Sequence, residues 1–321
     1  MPKSSPNEVS SREMYHQTQL NNIRSLPLWT ALVTPFTKQN TIDFDALAVI
    51  AKEQAQAGNG ILLLGSTGEG LALTESEQLS IVEFICKLAL DTAIMVAVGG
   101  YNLPNQQQWI ERCNKLPIDA YLLGSPLYAK PGSVGQIQWF KSLLDTAQVP
   151  CMLYNVPSRS GVDITIDCLQ ELQNHPNCWA LKEASGDLDQ FLSYQLHCPN
   201  IDLFSGEDAM MPFLAKAGVK GLVSVCANAW PSATRCYVDL CLQGDDNNLY
   251  SVWYQAIDAL FQVANPIAVK VLMYQQQQIS NPLLRPPLTH LELSSSKALK
   301  QANEAITLWF EQNQKLNYVG E

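Results

Sequence analysis

The alternation of short apolar runs with amphipathic stretches constrains the fold of this chain more than any other feature of the sequence. Most of the runs are continuously apolar, as expected of parallel strands covered on both faces, and the stretches between them have a helical period. We predict strands at 28–33, 60–64, 94–98, 120–123, 151–154, 179–181, 201–204 and 221–223. Eight strand-helix units in about 220 residues favour a closed (β/α)8 TIM barrel over an open doubly wound sheet, which usually has five or six strands.

Helical patterns lie between the strands and continue after the last one. They are predicted at 45–57, 75–89, 104–114, 134–146, 164–172, 249–262, 266–278 and 294–313. The polar start of the chain has no sustained period. We therefore predict a flexible N-terminal extension over 1–25, a catalytic barrel over 26–245 and a C-terminal helical appendage over 246–321.

Composition excludes several classes of protein. The 321 residues are 47% apolar and carry a formal net charge of -10, without a basic cluster, so we expect no nucleic-acid or membrane partner. The nine cysteines lie mostly in apolar runs and predict buried free thiols, and the four histidines have no zinc-like spacing. We expect no metal or cofactor, and the lack of an apolar signal segment predicts a cytoplasmic protein.

The active site of a TIM barrel lies at the carboxyl ends of its strands, so polar residues after apolar runs are the candidates. The second run is followed by an anion cradle, residues 65–70, with Gly65, Ser66, Thr67 and Gly68 in sequence. Glycines allow a close backbone approach, and hydroxyls with free amides bind anions. The segment matches neither the Walker loop nor GxGxxG, so it implies no nucleotide. The alternative is an ordinary glycine-rich turn that caps the next helix.

Three further strand ends carry reactive side chains. Tyr154 can transfer protons, and Arg159 can bind a carboxylate with both arms of its guanidinium group. Lys182 follows an apolar run in a chain of low charge, where desolvation favours the neutral amine that attacks a ketone to form a Schiff base. Tyr128, after the fourth run, is a candidate for a proton relay. The alternatives are packed tyrosines, a surface arginine, and a lysine that reaches solvent or pairs with Glu183. The combination indicates a small keto acid as substrate.

Together these segments resemble the dihydrodipicolinate synthase branch of the pyruvate-dependent class I aldolase and lyase family. Further blocks in the family order occur at 31–36, 205–208, 221–225 and 265–270, so the resemblance covers about residues 28 to 290. It implies that pyruvate condenses with L-aspartate 4-semialdehyde to 4-hydroxy-tetrahydrodipicolinate, on the route to diaminopimelate and lysine.

The resemblance also implies a role for each catalytic residue. Lys182 would form the Schiff base with pyruvate, and Tyr154 would donate and accept protons. Ser66 and Tyr128 would complete the hydroxyl relay. The family's counterpart of Tyr128 comes from a neighbouring subunit, so we expect a homo-oligomer, either a dimer or a tetramer.

The resemblance assigns the substrate carboxylates as well. Thr67 and the backbone at Val223 would hold the pyruvate carboxylate, and Arg159 would hold the carboxylate of the semialdehyde. Gly65, Gly68 and Gly186 are further expected substrate-site residues.

Ser66 departs from the usual pair of threonines in the cradle and also occurs in the N-acetylneuraminate lyase branch. Arg159 favours the synthase, because the sialic acid branch generally lacks an arginine there. The alternatives are therefore a sister aldolase for N-acetylneuraminate or 2-keto-3-deoxy-gluconate, and a barrel that binds keto acids without catalysis. The positions of the family's lysine-feedback site read Glu75, Gln106 and Leu127, with Asn102 retained, which predicts weak or absent inhibition by lysine.

Overall fold

Eight parallel strands pair in sequence order, and the last returns to the first, so the sheet closes into a barrel. The computed structural model describes residues 20–245 and 249–319, with side chains to residue 314. The strands are β1 (Leu28–Ala31), β2 (Gly60–Leu63), β3 (Ile94–Val98), β4 (Ala120–Gly124), β5 (Cys151–Asn155), β6 (Cys178–Glu183), β7 (Asp202–Ser205) and β8 (Gly221–Ser224). The predicted TIM barrel is confirmed.

Helices cover the outside of the barrel and follow its last strand. They are α1 (Phe44–Gln56), α2 (Glu75–Lys87), α3 (Leu103–Cys113), α4 (Ser133–Thr146), α5 (Pro157–Ser160), α6 (Ile166–Leu172), α7 (Leu188–His197), α8 (Met211–Lys216), α9 (Pro231–Gln243), α10 (Leu249–Phe261), α11 (Ile267–Gln275) and α12 (Lys297–Val319). The predicted segments differ mainly at their ends. The segment predicted at 266–278 ends at Gln275, and the last helix begins at Lys297, three residues later than predicted.

The barrel interior is filled by one or two buried apolar side chains from every strand, and helices bury the opposite faces. Trp29, Met95, Met152 and Phe204 are fully or almost fully buried in this interior cluster. Ile23 joins the same cluster, and residues 20–24 are helical. The predicted flexible extension is therefore wrong for residues 20–25, because burial of Ile23 ties them to the barrel. Residues 1–19 lie outside the described residues.

A register shift between β5 and β6 decides which residues face the interior at this point of the barrel. Cys151 pairs with Cys178, but the next residue, Met152, pairs with Ala180. Trp179 is thus an extra residue, a β-bulge. Because side chains alternate along a strand, the shift brings Lys182, rather than Leu181, beside Tyr154.

The C-terminal region packs on the barrel through aromatic side chains. Trp253 of α10 stacks on Tyr237 of α9, with ring centroids 4.3 Å apart. Trp309 of α12 meets the same indole edge-on at 5.3 Å. In the part of the chain that the structure describes, every helix is too short or too polar to cross a bilayer.

Candidate active site

Lys182 lies inside the barrel, next to Tyr154 on the neighbouring strand. Its side-chain nitrogen is 4.4 Å from the centre of the tyrosine ring, and the residue is only 6% exposed. The predicted strand ends at residue 181, but β6 extends to Glu183. The prediction that Lys182 follows the strand is therefore wrong, and the lysine lies within it. The lysine is therefore held by sheet hydrogen bonds, and its amine projects toward the carboxyl end of the barrel.

Glu183 does not neutralise Lys182, because the two side chains leave the strand on opposite faces. The Glu183 carboxylate accepts hydrogen bonds from Asn155 Nδ2 at 2.7 Å and from the Ser185 amide at 2.6 Å. Burial raises the pKa of Glu183, while these hydrogen bonds oppose the shift. Among the described residues, no carboxylate lies within ion-pair distance of Lys182. The amine is therefore available to a substrate.

The anion cradle places two hydroxyl groups beside this amine. Ser66 and Thr67 line the same cavity as Lys182. Asn265 Nδ2 donates to Thr67 Oγ1 at 2.9 Å, so the threonine proton remains free for a ligand. Gly68 is packed rather than exposed, since a Cβ atom there would lie 2.8 Å from the Leu32 carbonyl oxygen.

A buried ion pair between Glu69 of the cradle and Lys270 anchors the cradle to α11. Lys270 of α11 is fully buried and donates to Glu69 Oε1 at 2.7 Å and to the Thr34 carbonyl at 2.8 Å. Thr34 Oγ1 in turn donates to the Gly68 carbonyl at 2.7 Å. Burial lowers the pKa of Lys270 to about 8 although Glu69 stabilises its charged form. The pair joins the cradle, the end of β1 and α11.

A cavity of about 480 Å³ brings together five of the predicted residues: Ser66, Thr67, Tyr154, Arg159 and Lys182.

A second cavity of about 740 Å³ shares part of this lining and also contains Gly65. The second cavity extends to the four positions of the predicted lysine site, which are Glu75, Asn102, Gln106 and Leu127. Weak or absent inhibition by lysine stays a prediction.

The structure does not bring the other predicted residues into the cavity lining within one chain. Tyr128 is 91% exposed, in a loop where its φ is +67°. Val223 is buried in the barrel interior, and Val225 lines the cavity instead. Gly186 has a φ of +75° with open space around it, which suits a turn. The roles predicted for these residues stay predictions.

Three residues that sequence reasoning did not single out belong to the site. Gly206 lies against Lys182, since a Cβ atom there would be 2.8 Å from the lysine Cε and 2.5 Å from Ala184 Cβ. Glu207 and Asn265 line the cavity. All three stand in the segments 205–208 and 265–270, whose polar residues were the available signal. The described residues contain no cluster of three or more potential metal ligands.

Comparison with known proteins gives a consistent family. The model of the dihydrodipicolinate synthetase family matches residues 25–306. The 4-hydroxy-tetrahydrodipicolinate synthase of Wolbachia pipientis subsp. Culex pipiens is 44% identical over 290 residues, which are 90% of this chain and 99% of that protein. The enzyme of the same name from Francisella philomiragia is 46% identical over 284 residues, 88% of this chain and 96% of that protein.

Solved structures agree with this comparison. The chloride-inhibited dihydrodipicolinate synthase from Acinetobacter baumannii, complexed with pyruvate, superposes with a TM-score of 0.83 at 27% identity. The superposition covers 88% of this chain and 99% of that one. Sequence and fold are thus similar to the same group of enzymes over nearly their whole length.

Proposed function

This chain belongs to the dihydrodipicolinate synthetase family, and from that premise we propose that it condenses pyruvate with L-aspartate 4-semialdehyde. The product is 4-hydroxy-tetrahydrodipicolinate, on the route to diaminopimelate and lysine. One observation carries the proposal for this chain: a buried lysine amine without an acidic partner among the described residues shares a cavity with Tyr154, two hydroxyls and Arg159.

Lys182 forms the covalent intermediate in this proposal. Its amine attacks the keto carbon of pyruvate, and loss of water gives an imine on the lysine nitrogen. Loss of a proton from the methyl group then gives an enamine, whose carbon attacks the aldehyde. The position of the Lys182 nitrogen 4.4 Å from the centre of the Tyr154 ring supports this assignment, because a phenol in the same cavity as the reacting nitrogen is available for proton transfer.

The cradle and Arg159 separate the two carboxylates that the reaction must bind. Thr67 can donate its free proton to the pyruvate carboxylate, because its oxygen already accepts from Asn265. Ser66 belongs to the proton relay with Tyr154 and with Tyr128 of a second copy. Arg159 follows β5 in the short helix α5 and can form a two-pronged contact with the carboxylate of the semialdehyde.

Turnover of pyruvate with L-aspartate 4-semialdehyde tests the reaction, and N-acetylneuraminate cleavage provides the contrasting assay. We expect turnover with the semialdehyde only. Borohydride reduction in the presence of pyruvate should add a permanent pyruvate-derived mass to Lys182 in the wild type and none in Lys182→Ala. Absence of the adduct from the wild type would reject the Schiff-base mechanism, and cleavage of the sugar acid would reject the assigned second substrate.

Location and assembly complete the proposal. We propose that the enzyme works in the cytoplasm as a homo-oligomer, a dimer or a tetramer. The exposure of Tyr128 supports an oligomer, since its side chain is 91% exposed, lies outside the cavity linings of its own chain and is accessible to a second copy.

A further inference from the structure

The cavity around Lys182 contains an acidic side chain that the mechanism above does not use. Glu207 follows β7 and lines the same cavity as Lys182 and Arg159. A tight turn holds its backbone: the Glu207 amide donates to Ser205 Oγ at 3.0 Å, and that hydroxyl donates to the Glu207 carbonyl at 2.9 Å. The position of Glu207 at the cavity wall is therefore fixed by the strand end.

Glu207 is partly buried, and it differs from two fully buried acids near Lys182, Asp208 and Glu183, in having a free carboxylate. Asp208 accepts hydrogen bonds from the Val225 amide at 3.0 Å, the Cys226 amide at 3.3 Å and the Ser224 hydroxyl. Glu183 is held by Asn155 and Ser185, as described above. Across the described residues, the Glu207 carboxylate makes neither a hydrogen bond nor an ion pair. Of the three acids, it is the one available to a ligand.

Glu207 interacts electrostatically with both cations of the site, Lys182 and Arg159. Burial raises its pKa to about 7, Asp208 and Glu183 add to this rise, and Lys182 and Arg159 oppose it. The remaining elements around the cavity contribute uncharged hydroxyl and amide groups, from Ser66, Thr67, Tyr154, Ser158, Gln262 and Asn265. A carboxylate with a pKa near neutrality can gain and lose a proton during turnover.

The second substrate supplies a partner for such a group. Given the proposed function, L-aspartate 4-semialdehyde enters as a zwitterion, with an α-carboxylate and an α-ammonium group. Arg159 can bind the carboxylate, but the ammonium group also loses water on entering the cavity. A buried cation needs a compensating anion, and Glu207 is the free anion in the lining.

We propose that Glu207 binds the α-ammonium group of the semialdehyde and accepts one of its protons during the ring closure that frees Lys182. The inference rests on the proposed function and names the residue that recognises the amino end of the second substrate.

Ring closure moves the protons of the substrate nitrogen to Glu207 and Lys182. After the carbon–carbon bond has formed, Lys182 is a protonated imine, the substrate nitrogen is an ammonium group and Glu207 is ionised. One ammonium proton passes to Glu207, and the amine lone pair attacks the imine carbon to form the ring carbon–nitrogen bond. The bond between that carbon and the lysine nitrogen then breaks. The two protons left on the substrate nitrogen and the imine proton end on Lys182 as an ammonium group. The ring imine of the product is neutral, its two carboxylates stay ionised, and Glu207 and the Lys182 ammonium group each return one proton to water before the next turnover.

Glu207→Gln tests the role, because the amide keeps the shape of the side chain but neither attracts an ammonium group nor accepts its proton. We expect the pyruvate adduct on Lys182 to form as in the wild type, which also shows that the variant folds. The kcat/KM for the semialdehyde should fall about 10²-fold. Borohydride added during turnover should trap on Lys182 the mass of pyruvate plus semialdehyde, because ring closure is slowed. Glu207→Asp should restore part of the activity.

The pH profile adds a readout that a purely structural role would not move. In the wild type, kcat/KM for the semialdehyde should rise with pH through about 7, because the ionised form of Glu207 is required. Glu207→Gln should lack this rise. Glu171→Gln is the matched control, since it removes an exposed charge near the end of α6 and should leave the pyruvate adduct, kcat/KM, the trapped masses and the pH profile unchanged.

Wild-type kcat/KM in Glu207→Gln, an unchanged pH profile, or loss of the pyruvate adduct itself would each overturn the inference. Failure of the proposed function has a different signature, because the wild-type enzyme would then not turn over the semialdehyde at all.

Discussion

At the scale of single residues, Gly206 determines whether the side chain of Lys182 fits. It has no side chain, and the lysine occupies the space where a methyl group would be. A Cβ atom would meet both the lysine stem and Ala184 Cβ, at 2.8 and 2.5 Å. These contacts are shorter than van der Waals separation, so the lysine must move.

Gly206→Ala should therefore damage catalysis more than folding. A displacement of the amine by about 1 Å can cost roughly 10²-fold in rate, and we expect a loss of that order in pyruvate adduct formation. The rate of borohydride trapping checks it. Gly132→Ala is the control, because no atom lies within 4 Å of a Cβ atom at that position. Trapping at the wild-type rate in Gly206→Ala would show that the lysine adapts.

At the scale of elements, α11 anchors the anion cradle through its buried lysine. Lys270→Met removes the charge that neutralises Glu69 and leaves that carboxylate buried without its partner. We expect the free energy of unfolding to fall by about 3 to 5 kcal/mol. Urea unfolding measures this loss. Lys300→Met, an exposed lysine on α12, should change the stability little, and a similarly small effect at Lys270 would contradict the role of the pair.

The sequence predicts where the strands and helices of this fold lie better than it predicts which side chains of each strand face the barrel interior. Strand positions agree to within one or two residues, because continuous apolar runs separated by helical patterns have few other interpretations. Such runs do not alternate, so they do not show which side chains point inward. The bulge at Trp179, which selects Lys182 over Leu181, leaves no mark in the periodicity.

The candidate site was predictable where a strand end carries a reactive group, as at Tyr154 and Lys182. It was not predictable where function depends on whether a carboxylate is free to bind a ligand or is already held by hydrogen bonds. Glu183, Glu207 and Asp208 look alike in sequence, and only the hydrogen bonds of the folded chain show that Glu207 is free. Lys270 stands in an apolar helix, and this mismatch was a signal that its block contained a buried charge.

At the scale of the whole molecule, Tyr128 makes a prediction about assembly. Its side chain is exposed in one chain, and we propose that it completes the relay in a second copy. Lys182→Ala and Tyr128→Phe should each have low activity alone. In a hybrid dimer, one site would carry both defects and the other neither.

Co-expression of the two variants should therefore restore activity, to roughly a quarter of the wild-type value for random dimers with one intact site in each hybrid. Activity of the separately purified, unmixed variants is the baseline. If mixing restores nothing although hybrids are detected by mass, Tyr128 serves its own chain.

The bulge in β6 has a consequence for how such enzymes are recognised and altered. The side of the sheet on which the amine emerges depends on the parity of a residue count between Cys178 and Lys182, whatever the identity of the residues counted. Because Trp179 is the extra residue, a one-residue deletion there would remove the bulge and leave the lysine opposite Tyr154, whereas a one-residue insertion without a second bulge would turn an intact lysine toward the helical layer. A family motif can thus be complete letter by letter in a protein whose chemistry has been lost.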